Sequence, residues 1–140
     1  MAVLSLDVGD RRIGVAVSDP SETFALPLRV IERDSLRADL ASIVEIAADY
    51  AADTIVVGDP ITLSGRRGTA SERINKFCAA LARAFAGNVE KFDERLTTAQ
   101  ATRALIDADV SRAKRKRVVD RMAAALILDG YLARRRAPRA

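Results

Sequence analysis

Two apolar, β-type runs, Ala2 to Val8 and Ile13 to Ser18, are separated only by Gly9-Asp10-Arg11-Arg12. A link that short cannot carry a parallel crossover, so the two runs must pair as an antiparallel hairpin. A third run, Leu26 to Ile31, follows Pro20 and carries Pro27 near its start, where a strand tolerates proline. The pattern then changes period. Leu36, Leu40, Ile43, Val44 and Ala47 recur at helical spacing between Ser35 and Tyr50, with Asp34 or Ser35 available as N-cap. Thr54 to Val57 reads as a short buried strand closed by Gly58-Asp59-Pro60. Ile74, Phe77, Cys78, Leu81 and Phe85 form a second helical stripe ended by Gly87-Asn88, and Val89 to Phe92 is a further strand. Thr97-Thr98-Ala99-Gln100 matches a capping box that opens a helix to about Asp107. A last helix is expected over about Val118 to Ala133, after the basic segment Ser111 to Arg117. The order βββαβαβαα predicts an α/β fold, a mixed sheet with helices on both faces. At 140 residues the chain suits one domain, over 1–133, with a basic and mobile tail over 134–140.

Within this frame three acids stand where carboxylates are out of place. Asp7 ends the run Val3 to Leu6, Glu94 follows the strand-like Val89 to Phe92, and Asp120 lies on an apolar helical face beside Ala123, Ala124 and Ile127. A buried carboxylate needs a cation or a metal beside it. The chain has no histidine, which removes Ser-His-Asp and Cys-His chemistry and ordinary zinc sites. Cys78, the single cysteine, falls on an apolar stripe and reads as a core thiol. Three carboxylates and no imidazole suit Mg²⁺ or Mn²⁺, hard cations that take oxygen ligands. Asp7, Glu94 and Asp120 are therefore the candidate catalytic and metal-binding residues, and phosphodiester hydrolysis is the natural reaction class.

The basic residues fall where that chemistry would use them. Arg11 and Arg12 sit on the hairpin turn beyond Asp7, Arg95 follows Glu94, and Lys114-Arg115-Lys116-Arg117 ends three residues before Asp120. The glycine-bracketed Arg66 and Arg67 would form a mobile arm over a nucleic-acid backbone, and the absence of Lys-Ser/Thr after Gly68 excludes a P-loop. A net charge of +4 supports a polyanionic partner. No apolar run reaches the length of a membrane span, and no basic segment with a following apolar stretch opens the chain, so a cytoplasmic protein is expected.

Four motifs occur in order: Leu6 to Pro20, Val56-Val57-Gly58-Asp59-Pro60, Asp93-Glu94-Arg95-Leu96-Thr97-Thr98, and Val119-Asp120-Arg121-Met122-Ala123-Ala124. On these the chain resembles, over nearly its whole length, the YqgF family, also called RuvX, of bacterial RNase H-like proteins. The resemblance implies an RNase H-like fold with a five-stranded mixed sheet flanked by helices. It also implies Asp7, Glu94 and Asp120 as metal-binding catalytic carboxylates. The activity implied is maturation of the 5′ end of precursor 16S rRNA, or else Holliday junction resolution on four-way DNA, by a monomer or a homodimer. Two positions depart from the pattern. Asp59 replaces a usually apolar residue of a Gly-x-Pro motif, as a loop cap or as a contact to metal or substrate. Ala123 and Ala124 stand where RuvC-type resolvases carry a further carboxylate. Two other classes stay open: a non-catalytic ribosome-associated RNA-binding protein, and a nucleotide-binding module of the actin and sugar-kinase type, suggested by Asp7-x-Gly9 followed by Gly14.

Overall fold

The computed structural model describes residues 2–59, 69–93 and 112–136, with side chains at 2–59, 71–93 and 122–135. In chain order its elements are β1 (Ala2–Val8), β2 (Arg12–Ser18), β3 (Ala25–Glu32), α1 (Leu36–Asp49), β4 (Ala52–Asp59), α2 (Thr69–Ala84), β5 (Asn88–Asp93) and α3 (Arg112–Arg136). The expected helix over 97–107 lies outside the described residues.

The five strands form one mixed sheet in the order β3-β2-β1-β4-β5. The hairpin is antiparallel with Asp7 opposite Gly14, and β3 continues it antiparallel to β2. On the other side β1 pairs parallel with β4, and β4 with β5. Because β1, β4 and β5 run the same way, their C-terminal ends gather at one edge of the sheet. That edge carries Asp7.

Helices cover both faces, which is why β1 and β4 read as nearly unbroken apolar runs. On one face Leu4, Leu6, Ile55 and Val57 pack against Ile43 and Ile46 of α1 and Ile74, Phe77 and Leu81 of α2. On the other, Val3, Ala16, Val56 and Phe92 pack against Ala124, Ile127, Leu128 and Leu132 of α3. The alternation of side chains along β1 assigns Leu4 and Leu6 to the first core and Val3, Ser5 and Asp7 to the second.

Several element boundaries differ from the sequence expectation. α1 is capped by Ser35, whose Oγ accepts from the Ala38 amide at 3.1 Å, so of the two candidate caps serine is the one used. β4 runs from Ala52 to Asp59 because its polar ends are held in ladders with β1 and β5, which apolar patterning cannot register. α3 starts at Arg112, so the basic run is helical and Asp120 lies inside the helix, well past its first turn. Lys, Arg and Ala are strong helix formers but supply no apolar stripe, which hides the first two turns from a periodicity reading. At its other end α3 continues to Arg136, into the segment expected to be tail.

The β2–β3 turn is organised by Asp19. Its Oδ1 accepts from the amides of Thr23 at 2.7 Å and Phe24, and its Oδ2 accepts from the Ser21 amide at 3.2 Å and the Ser21 hydroxyl. These donors, the Phe24 amide foremost and then the Ser21 hydroxyl, lower the Asp19 carboxyl from 3.8 to about 2. A carboxyl depressed by folding stabilises the fold above its unfolded pKa, and that contribution disappears as pH falls from about 4 through about 2. Asp19→Asn is therefore expected to be less stable than wild type at pH 6, with the two urea midpoints converging by pH 2. A midpoint gap that does not change with pH would show that this carboxylate does not hold the turn.

Candidate active site

Of the three predicted carboxylates, Asp7 is the one whose side chain lies among the described residues. It is the penultimate residue of β1, is buried, and shares its face with Val3 and Ser5. Ser5 is fully buried, and its Oγ donates to the Ala124 carbonyl at 2.7 Å, tying α3 directly to β1. A side-chain bond from a strand to a helix backbone requires close approach, and the buried Ala123 and Ala124 permit it. Asp120 precedes Ala124 by four residues, about one helical turn. Asp7 follows Ser5 by two residues on the same strand face. The Ser5–Ala124 bond is thus an anchor next to both acids.

The Asp120 side chain and all of Glu94 lie outside the described residues, as do Arg66, Arg67, Arg95 and the side chains of Lys114, Arg115, Lys116 and Arg117. Among the described residues no three acidic or thiol side chains converge as a cation site. Glu94 follows directly on Asp93, the last residue of β5, which pairs with Asp59 at the end of β4.

Asp59 is placed by the structure on the other side of the sheet from Asp7. It shares the face of Val57, and its Oδ1 accepts from the Ser71 hydroxyl at 2.7 Å, with both side chains buried. The carboxylate therefore ties the end of β4 to the start of α2. Nothing in the sequence links Asp59 to Ser71 before the sheet and helix are in place.

The two arginines of the hairpin turn differ. Arg11 is exposed and makes no ion pair among the described residues, whereas Arg12 Nε donates to Glu32 Oε1 at 3.2 Å across the β2–β3 ladder. Three further cations, which the sequence did not single out, stand around the same turn. Arg33 Nη1 donates to the Gly9 carbonyl at 3.0 Å and its Nε to the buried Asp39 at 3.2 Å. Arg73 of α2 pairs with Asp10 at 2.7 Å, and Lys76 lies nearby on the same helix. Only the packing of α2 against the strand ends brings these together. Cys78 is half-buried, and burial pushes its thiol up to about 11, in keeping with a core thiol.

A five-stranded mixed sheet in this order, with helices on both faces, defines the RNase H-like class of resolvase folds. Thermus thermophilus RuvC, solved in complex with a Holliday junction substrate, superposes with a TM-score of 0.61 at 13% identity, over 96% of each chain. The fowlpox virus resolvase, solved with Holliday junction DNA, superposes with a TM-score of 0.56 at 11% identity, over 98% of this chain and 100% of that one. At such identities the likeness is one of fold. The chain belongs to the RuvX family: the family model described as "RuvX: Holliday junction resolvase" matches residues 1–134. Among its relatives, a Clostridium perfringens protein described as "Putative pre-16S rRNA nuclease" is 44% identical over 134 residues, covering 96% of this chain and 98% of the relative. A Clostridium tetani protein of the same description is 46% identical over 132 residues, covering 94% and 96%. Among the described residues no helix is long and apolar enough to cross a membrane.

Proposed function

We propose that this chain is a metal-dependent nuclease that hydrolyses phosphodiester bonds in structured nucleic acid, that its substrate is the 5′ end of precursor 16S rRNA, and that Asp7, Glu94 and Asp120 are its catalytic carboxylates. The observation that carries the reading is Asp7: a carboxylate buried at a strand end, beside the bond that fastens α3 to β1 one turn from Asp120. The 16S assignment draws on relatives of near full-length match that bear that description.

The donor set fits Mg²⁺ or Mn²⁺, since every proposed ligand is a carboxylate oxygen and the chain has no histidine to favour zinc. Such a cation, when bound, supplies positive charge that activates a water and stabilises the departing oxygen. The chain's own contribution is positional. β1 fixes Asp7, the Ser5–Ala124 bond fixes the approach of α3, and Arg11, Arg66, Arg67, Arg95 and Lys114 to Arg117 supply cations for the phosphate backbone. The unit is a single domain acting in the cytoplasm.

The family description favours a second reading, resolution of four-way DNA junctions. Ala123 and Ala124 speak against it, because they are packed into the sheet and offer no carboxylate on that turn. The deciding experiment is a paired assay, in Mg²⁺ and in Mn²⁺, on an RNA spanning the 16S 5′ boundary and on a four-way DNA junction. Cleavage of the RNA with the junction left intact is expected. The reverse outcome transfers the activity to junctions, and cleavage of neither, with retained RNA binding, makes the chain a non-catalytic RNA-binding protein.

A further inference from the structure

Beyond the carboxylate centre, on the α1 and α2 side of the same sheet edge, the turn after β1 forms one wall of a cleft of about 290 Å³. The wall starts at Val8, the residue after Asp7. The cleft's floor is apolar: Ile74 and Phe77 are buried there, and Leu36, which lines the cleft, is 46% exposed. Its rim is cationic, with Arg33, Arg73 and Lys76 against the single acid Asp10.

The cations differ in how firmly they are held. Arg33 is fixed by Asp39 and the Gly9 carbonyl, and its guanidinium lies 5.8 Å over the Phe77 ring. A guanidinium plane held in this way is a surface on which an unpaired base can stack. Among the described residues Arg73 is held only by an ion pair exposed on both sides, 63% and 84%, so a phosphate can take it from Asp10 at little cost. Lys76 has no polar partner among the described residues.

We infer that this cleft receives one unpaired nucleotide of the nucleic-acid strand being cut, with the base against Leu36 and Arg33 and the phosphate on Arg73 and Lys76. An apolar floor under a cationic rim matches a base joined to a phosphate, and a phosphate alone would need no floor. The cleft opens at the sheet edge that carries Asp7, on the opposite face, so the nucleotide it receives is a neighbour of the reacting phosphodiester along the strand, and the inference rests on the nuclease reading. It assigns the enzyme a preference for substrates with an unpaired residue close to the cut.

The test is equilibrium binding without divalent metal, by fluorescence anisotropy, of a hairpin RNA carrying a one-nucleotide bulge and of the same RNA with an abasic residue in the bulge. Wild type is expected to bind the base-bearing RNA about tenfold more tightly, the scale of one stacked base. Leu36→Asp combined with Lys76→Glu is expected to bind both RNAs equally, while Leu36→Met keeps the preference. Leu36 opens α1 and Lys76 is exposed, so both changes suit their positions. Equal binding of the two RNAs by wild type, or an undiminished preference in the double variant, overturns the inference. Binding is read without turnover, so a chain that discriminates yet never cleaves keeps the cleft and loses the nuclease. One that cleaves without discriminating does the opposite.

Discussion

Asp7→Asn is expected to cut the single-turnover rate on the 16S-boundary RNA by more than about 10²-fold, since outer-shell partners of metal ligands alone are worth 10- to 100-fold and a direct ligand exceeds them. Stability should not follow activity down. The substitution is isosteric and keeps the shape of the buried side chain, so the melting temperature is expected to stay close to that of wild type. Activity lost with the fold intact separates a catalytic carboxylate from one that merely packs the end of β1. Cleavage within tenfold of wild type would remove Asp7 from the chemistry, and a variant that unfolds would make its role structural.

The prominence of Asp7 in the sequence and its burial in the structure have one cause. A carboxylate that closes an apolar run is visible as a breach of pattern, and here the breach falls on a strand covered on both faces. The hairpin was equally legible, because a four-residue link leaves a chain few options. Strand and helix ends were not. Ala52 and Asp59 are carried into β4 by ladders to β1 and β5, and the first turns of α3 are made by Lys and Arg that leave no apolar trace.

The surroundings of the site were legible in the same uneven way. Ala123 and Ala124 could be read as a close-approach face, and the buried Ser5–Ala124 bond agrees with that reading. The use of Asp59 could not be read, since its partner Ser71 is twelve residues away and meets it only when α2 docks. Arg33 was hidden for a similar reason. Its place depends on Asp39, a residue on the sheet-facing side of α1 that also accepts from the Asp34 amide at 3.0 Å. Contacts made between elements carry no local signature, and these set the electrostatics around the turn after Asp7.

The same logic makes Ala124 the most sensitive packing position next to the site. Ala124 is fully buried in the core between α3 and the sheet, with its carbonyl 2.7 Å from Ser5 Oγ. Ala124→Leu adds three carbons where the helix has no room to receive them, and overpacking of this kind costs about 1–3 kcal/mol. If α3 moves outward, the buried Ser5 hydroxyl loses its acceptor, which adds about 1–3 kcal/mol. Ala133→Leu, on the exposed side of the same helix, is the control and is expected to stay within about 0.5 kcal/mol of wild type. Asp120 sits one turn from the strained point, and a misplacement of about 1 Å costs a catalytic group about 10²-fold. Ala124→Leu should therefore lose both stability in urea denaturation and cleavage of the boundary RNA, with Ala133→Leu keeping both. If Ala124→Leu proves as stable as wild type, α3 does not depend on close contact with β1, and the anchor proposed to bring Asp120 toward Asp7 is lost with it.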